Sequence, residues 1–165
     1  MKSPLVKALS FSISLAASLL LFSAVAQGQQ LERKAEFETI AKSFACGHTA
    51  RASYIVTSRE EWEKVWNAAY ANTYPVPPAP DEDFTTRSII AVFQGSQPSS
   101  GYDISVTKLV RSGKKLKVHV KEVVPDLPCK VLLVITEPFQ IIETEKIDHP
   151  EKVKFKIKQD LKLCE

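Results

Sequence analysis

The sequence predicts an α+β fold, a mainly antiparallel β-sheet with one amphipathic α-helix at about residues 59–70. Three observations carry this prediction. A helix-start signal precedes apolar residues at helical spacing, a proline-rich segment then ends the helix, and from residue 88 onward short apolar or alternating stretches are separated by turn residues.

The helix is the clearest single element. Ser58 and Glu61 form a capping box, in which the serine hydroxyl accepts from the Glu61 amide and the glutamate reaches back. Helical spacing places four apolar residues on one face, which predicts core packing: Trp62, Val65, Trp66 and Ala69. The prolines between residues 75 and 80 end the helix and predict a connecting loop.

The strands follow the proline-rich loop. Two continuous apolar runs predict buried strands, at 89–93 and at 131–135, and residues 139–143 predict a further strand. Alternating residues around Ile104 and Val118 predict a hairpin that turns at Ser112-Gly113. In the last strand, residues 153–157 alternate with lysines, which would protect an exposed sheet edge from pairing with another chain.

The N-terminal region predicts export. Residues 1–26 have the layout of a signal peptide, with a positive start, an apolar stretch and the cleavage-site pattern Ala24-Val25-Ala26. Residues 27–36 predict a flexible lead-in, and residues 37–165 predict a single domain. We therefore expect a periplasmic or secreted protein without a lipid or transmembrane anchor after cleavage.

The charge distribution argues against a nucleic-acid-binding groove. The formal net charge of the whole chain is +3, and cleavage would remove Lys2 and Lys7 and no acidic residue. The mature chain is therefore almost neutral, and it has no Lys/Arg cluster along the sequence.

Three cysteines fall in the mature part: Cys46, Cys129 and Cys164. Export to an oxidising compartment makes a disulfide the expected state, and an odd count leaves one cysteine unpaired. All three single bridges remain open, with a preference for Cys46–Cys129. Cys164 either ties the C-terminal tail to the body or is the free thiol.

Residues for catalysis or metal binding do not form a recognised pattern. His48, His119 and His149 are scattered, and no nucleophile elbow, dinucleotide-binding or phosphate-binding motif is present. Cys46-Gly47-His48 is the nearest approach to a metal-binding arrangement. The sequence therefore predicts neither a metal site nor a cofactor, and not an enzyme.

The segment from Gly95 to Tyr102 supports two interpretations. If the segment is a structural turn, Pro98 fixes one φ angle, Gly101 permits a positive φ and Tyr102 packs inward. As a presented loop, it offers rigid backbone groups to a partner. The candidate partner-binding residues are Gly95, Gln97, Pro98, Ser99, Ser100, Gly101 and Tyr102.

Five motifs follow one another along the chain: the Ser58–Trp66 segment, the proline-rich loop ending in Asp83-Phe84, an apolar strand ending in Gly95, Pro98-x-x-Gly101-Tyr102 and Thr136-x-Pro138-Phe139. In this order they resemble the PrcB-like family of secreted bacterial proteins. This resemblance spans roughly residues 37–155. It implies a non-catalytic C-terminal domain of a protease complex, and therefore a protein that binds and stabilises an exported protease.

The Gly95–Tyr102 segment also resembles, more faintly, the Asn-Pro-Thr-Thr-Gly-Tyr loop of chagasin-like inhibitors. That loop plugs papain-type active sites from an immunoglobulin-like sandwich, but this chain lacks the asparagine. The resemblance implies a protease inhibitor as the alternative function.

Overall fold

The computed structural model describes residues 31–163. The predicted signal peptide and Cys164 lie outside the described residues. The described part contains eight strands, one α-helix and a short 3-10 turn. In chain order the strands and helix are β1 (Glu32–Ala35), β2 (Phe37–Ser43), β3 (Ala52–Val56), α1 (Arg59–Ala69), β4 (Arg87–Phe93), β5 (Asp103–Ser112), β6 (Lys115–Pro125), β7 (Phe139–Glu145) and β8 (Val153–Lys162).

The strands form two four-stranded sheets. Sheet 1 has the order β1-β5-β6-β8, and sheet 2 has the order β2-β7-β4-β3. All neighbouring strands pair antiparallel except β6 and β8, which are parallel. The α+β prediction is confirmed. The parallel pair arises because the chain crosses from β7 in sheet 2 to β8 in sheet 1 instead of returning by a hairpin.

Two cores lie on opposite faces of sheet 2. Ile89, Ala91 and Phe93 of β4 pack with the buried face of α1. Ile90 and Val92 pack with inward residues of sheet 1. Both faces of β4 are therefore covered, which explains why its sequence is apolar throughout rather than alternating.

Helix α1 begins and ends close to the predicted bounds. Ser58 is the N-cap and its hydroxyl accepts from the Glu61 amide at 3.3 Å. The Glu61 carboxylate accepts from the Thr57 amide at 2.9 Å, one residue before the cap. The tryptophans are core residues as predicted, and each indole also fixes the proline-rich loop. Trp62 Nε1 donates to Pro80 O at 2.9 Å and Trp66 Nε1 donates to Pro77 O at 2.8 Å.

Two predictions about local structure are wrong. Residues 32–35 of the expected flexible lead-in form β1, which pairs with β5 and buries Ala35 against Leu109. Residues 131–135, expected as a buried strand, are irregular, and residues 132–135 are exposed. A run of apolar residues does not by itself show that another element packs against it, and no element of the described chain covers residues 132–135.

The preferred Cys46–Cys129 disulfide is also wrong. Cys46 is a free, buried cysteine, 3% exposed, whereas Cys129 is disulfide-bonded. Cys46 lies at the helix side of sheet 2, where its carbonyl accepts from Asn72 Nδ2 at 3.0 Å. The cysteine that the sequence leaves unpaired is therefore a core residue.

We expect the Cys46 thiol to react with a thiol reagent only after unfolding. Burial raises its pKa, which lowers the fraction of reactive thiolate at a given pH, and also blocks access. Colorimetric thiol titration at about pH 8 should detect almost no thiol in the native protein and about one per chain in denaturant without reductant. A Cys46→Ser variant should show none in either state, and rapid reaction of the native protein would contradict this assignment.

Candidate functional site

The segment 95–102 is fastened to the irregular segment that follows β6. Gln97 and Thr136 form an isolated antiparallel bridge. The Gln97 amide nitrogen lies 2.7 Å from Thr136 O, and the Thr136 amide nitrogen lies 3.1 Å from Gln97 O. The Ser100 amide donates to Leu132 O at 2.9 Å, and the Ser100 hydroxyl accepts from the Leu132 amide at 2.9 Å. These bonds hold residues 132–136 against the predicted loop.

Most of the predicted partner-binding residues have structural roles. Gly95 is buried at a φ of +78°, and a Cβ there would lie 2.8 Å from the Arg51 amide nitrogen, so only glycine fits. Ser99 is buried, and its carbonyl accepts from the Thr136 hydroxyl at 2.9 Å. Pro98 is exposed, while Gln97 is half-buried by its bridge. The turn interpretation therefore accounts for much of this segment.

An exposed apolar surface lies directly beside the segment. We call it the apolar patch, and its members are Phe44, Leu132, Leu133, Val134 and Ile135. Their exposures range from 50% for Val134 to 92% for Leu133. Phe44 lies beside this segment because its carbonyl accepts a hydrogen bond from the Glu137 amide at 2.9 Å, and it lines the same groove as Leu132 and Val134.

A shallow apolar groove connects the patch to the predicted loop. It has a volume of about 240 Å³ and is lined by Ser100, Gly101 and Tyr102 from the loop and by Phe44, Leu132, Val134 and Thr136 from the other side. The structure thus brings three of the predicted residues to a surface that the sequence reasoning missed. Soluble proteins rarely expose a contiguous cluster of large apolar side chains unless a partner covers it.

The backbone of the patch is also available to a partner. Leu132 and Thr136 make the hydrogen bonds that hold this segment, whereas Leu133 and Ile135 make none among the described residues. An extended peptide could bond to these groups as an added strand, with its side chains seated on the neighbouring apolar groups.

A second, polar cleft lies on the other side of Tyr102. It has a volume of about 380 Å³, and Arg51, Gln94 and Glu122 contribute to its lining. The Glu122 carboxylate is buried, at 1% side-chain exposure, and it pairs with the Arg51 guanidinium. Because that cation is neutralised by a carboxylate, the cleft has no free positive charge from Arg51 for an anionic ligand.

The histidines do not form a reactive centre. His48 stacks on Phe93, its Nδ1 lies 2.8 Å from Ala50 O and its Nε2 lies 2.8 Å from Tyr54 Oη. A carbonyl only accepts, so Nδ1 carries a proton, and Nε2 shares a hydrogen bond with the tyrosine hydroxyl. Both ring nitrogens are therefore engaged in hydrogen bonds with neighbouring residues. Cys46 Sγ contacts the backbone of His48 rather than its ring.

The other two histidines are separate from His48. His119 lies on β6, and His149 pairs with Glu151 at 3.1 Å. Across residues 31–163, no group of three or more His, Cys, Asp or Glu side chains is placed to hold a metal ion. No helix in the same range has the length and hydrophobicity that crossing a bilayer requires.

The comparison with protein families matches the part of the chain that contains the patch. The sequence model described as PrcB C-terminal matches residues 88–145. Residues 88–145 are therefore similar to the PrcB C-terminal family, and we call them the PrcB-like region. The PrcB-like region runs from β4 to β7 and includes the Gly95–Tyr102 segment and the residues 131–135, whereas the Ser58–Trp66 motif lies outside the match. The comparisons with curated proteins and with solved structures give no significant match.

Proposed function

We propose that this protein is an exported, non-enzymatic accessory protein that binds and stabilises a protease through the apolar patch. The observation that carries the proposal is the exposure of residues 132–135 inside the PrcB-like region. A catalytic assignment has less support, because both ring nitrogens of His48 are engaged in hydrogen bonds with neighbouring residues and the His149 ring pairs with Glu151.

The chagasin-like alternative has less support from the geometry. An inhibitory loop has to project into a cleft, but hydrogen bonds at Gln97 and Ser100 tie this segment to residues 132–136. Tyr102 is half-buried and lines the groove instead of projecting from it. We therefore favour binding through the patch over insertion of the loop.

The test of the proposed function is capture of a protease from the envelope and medium of the producing cell. Tagged wild-type protein should recover an exported protease, and Val134→Asp should reduce recovery at least tenfold, because a buried unpaired charge strongly disfavours an apolar interface. Val76→Asp is the matched control. Val76 is 40% exposed against 50% for Val134, and it lies in the proline-rich loop.

Three results separate the candidate functions. Equal recovery by V134D and V76D, or recovery of no protease by wild-type protein, would contradict binding through the patch. Stoichiometric inhibition of a papain-like protease that Tyr102→Ala relieves would favour the inhibitor. Thermal unfolding of each variant should match that of wild-type protein, since both valines are substantially exposed.

A further inference from the structure

The outward face of sheet 1 presents lysines on three neighbouring strands. We call it the lysine face, and its members are Lys108, Lys117, Lys121, Lys154, Lys156 and Lys158. On β6, Leu116, Val118 and Val120 are buried toward sheet 2, so the alternate residues point outward. The parallel register then places Lys117 beside Lys154 and Lys121 beside Lys158 on the same face.

Few carboxylates balance this face. Glu32 pairs with Lys117 at 2.7 Å, and Asp160 is shared between Lys121 at 3.2 Å and Lys158 at 2.8 Å. Lys154 and Lys156 form no ion pair with any described residue. Hydrogen bonding and attraction from Lys117 lower the pKa of Glu32, and Lys108 and Lys156 contribute further attraction, consistent with one continuous positive field.

Protection of a sheet edge explains only part of this arrangement. Lysines on β8 can prevent pairing with another chain, because β8 is the edge strand of sheet 1. Strand β6 lies between β5 and β8 and has no free edge, yet Lys117 and Lys121 each have a lysine directly across the strand pair. Like charges in such positions destabilise a sheet, and a carboxylate shared by both lysines of a pair, that of Asp160, offsets this only for Lys121 and Lys158. Edge protection therefore does not explain Lys108 on β5 or Lys117 and Lys121 on β6.

The chemistry of the face selects among anionic partners. The outward positions of β5, β6 and β8 contain no arginine and no Phe, Tyr or Trp. Nucleic-acid-binding surfaces commonly add arginines for bidentate contacts to base edges and aromatic side chains for base stacking. A broad sheet of primary ammonium groups instead suits a planar array of anionic headgroups, to which each lysine adds roughly fivefold in partitioning.

We propose that the lysine face docks on the surface of an anionic phospholipid bilayer. The protein lies on the headgroups through sheet 1 without inserting into the hydrocarbon. Residues 132–135 of the apolar patch lie between the end of β6 and the start of β7, and Phe44 follows β2, so no member of the patch lies on β5, β6 or β8. Membrane docking and partner binding therefore use different residues.

The test is sedimentation of the mature protein with phospholipid vesicles. At about 0.1 M salt, the protein should bind vesicles of phosphatidylcholine with about 30% phosphatidylglycerol and should not bind phosphatidylcholine alone. At about 0.5 M salt, binding should be lost because the charges are screened. The double variant K154Q/K156Q should reduce the partition coefficient at least tenfold.

The matched control is K64Q/K130Q, which removes the same charge from exposed lysines outside the lysine face. It should bind vesicles like wild-type protein, and V134D should too, so failure of this proposal is distinguishable from failure of the proposed function. Equal losses in the two lysine variants, or binding that salt does not weaken, would overturn the proposal. Tighter binding to duplex DNA or to an acidic polysaccharide than to these vesicles at the same salt would also overturn it.

Discussion

Replacing Trp62 with alanine is expected to lower the free energy of unfolding by about 3–5 kcal/mol. The Trp62 side chain is completely buried, and its ring meets that of Trp66 edge-on at a centroid distance of 5.0 Å. The substitution would leave a large cavity between α1 and sheet 2 and would release the hydrogen bond to Pro80 O. Urea unfolding followed by circular dichroism would measure the loss.

The control for this substitution is Trp62→Phe, which retains an aromatic ring but removes the indole donor. It should lower the free energy of unfolding by less, about 1–3 kcal/mol, because phenylalanine is smaller than tryptophan and Pro80 O loses its hydrogen-bond donor. A loss under 1 kcal/mol for W62A would contradict the assignment of Trp62 to the core.

Replacing Arg51 with alanine is expected to lower the free energy of unfolding by about 2–3 kcal/mol. Removing one member of a fully buried ion pair costs about 3–5 kcal/mol, because the other charge is left in a poorly solvated site. Here Glu122 is 1% exposed but Arg51 is 52% exposed, so water screens the pair and the effect should be smaller.

A double-mutant cycle tests this explanation. Glu122→Gln in the Arg51→Ala background removes the uncompensated charge, so the double variant should be more stable than R51A alone. The four proteins would be compared by urea unfolding at neutral pH. If E122Q destabilises R51A further, the loss comes from packing of the Arg51 side chain and not from the unpaired carboxylate.

Local signals in the sequence were sufficient for the helix and for much of the sheet. Ser58 and Glu61 mark the helix start, and Gly113, at a φ of +54°, forms the turn of the predicted hairpin. The continuous apolar run of β4 predicted its burial because strands covered on both faces have no polar side. Each of these features depends on a few residues that are close together in the sequence, so each could be predicted from the sequence alone.

Features that depend on distant parts of the chain were not predictable in the same way. Leu133 has apolar neighbours on both sides, as buried strands do, but its exposure depends on which elements reach it. Strand β1 forms because β5 offers it a partner, although its own sequence is polar. Similarly, the lysines of β6 and β8 are separated along the chain, and only the parallel pairing of these strands places them together.

The two-sided burial of β4 affects how related sequences can diverge. Ile89 and Phe93 contact the helix side, whereas Ile90 and Val92 contact sheet 1. Adjacent positions of one strand are therefore under different selective constraints, and compensating changes should couple odd-numbered positions to α1 and even-numbered positions to sheet 1. The helix could then be remodelled over evolutionary time while the packing beneath the lysine face is retained.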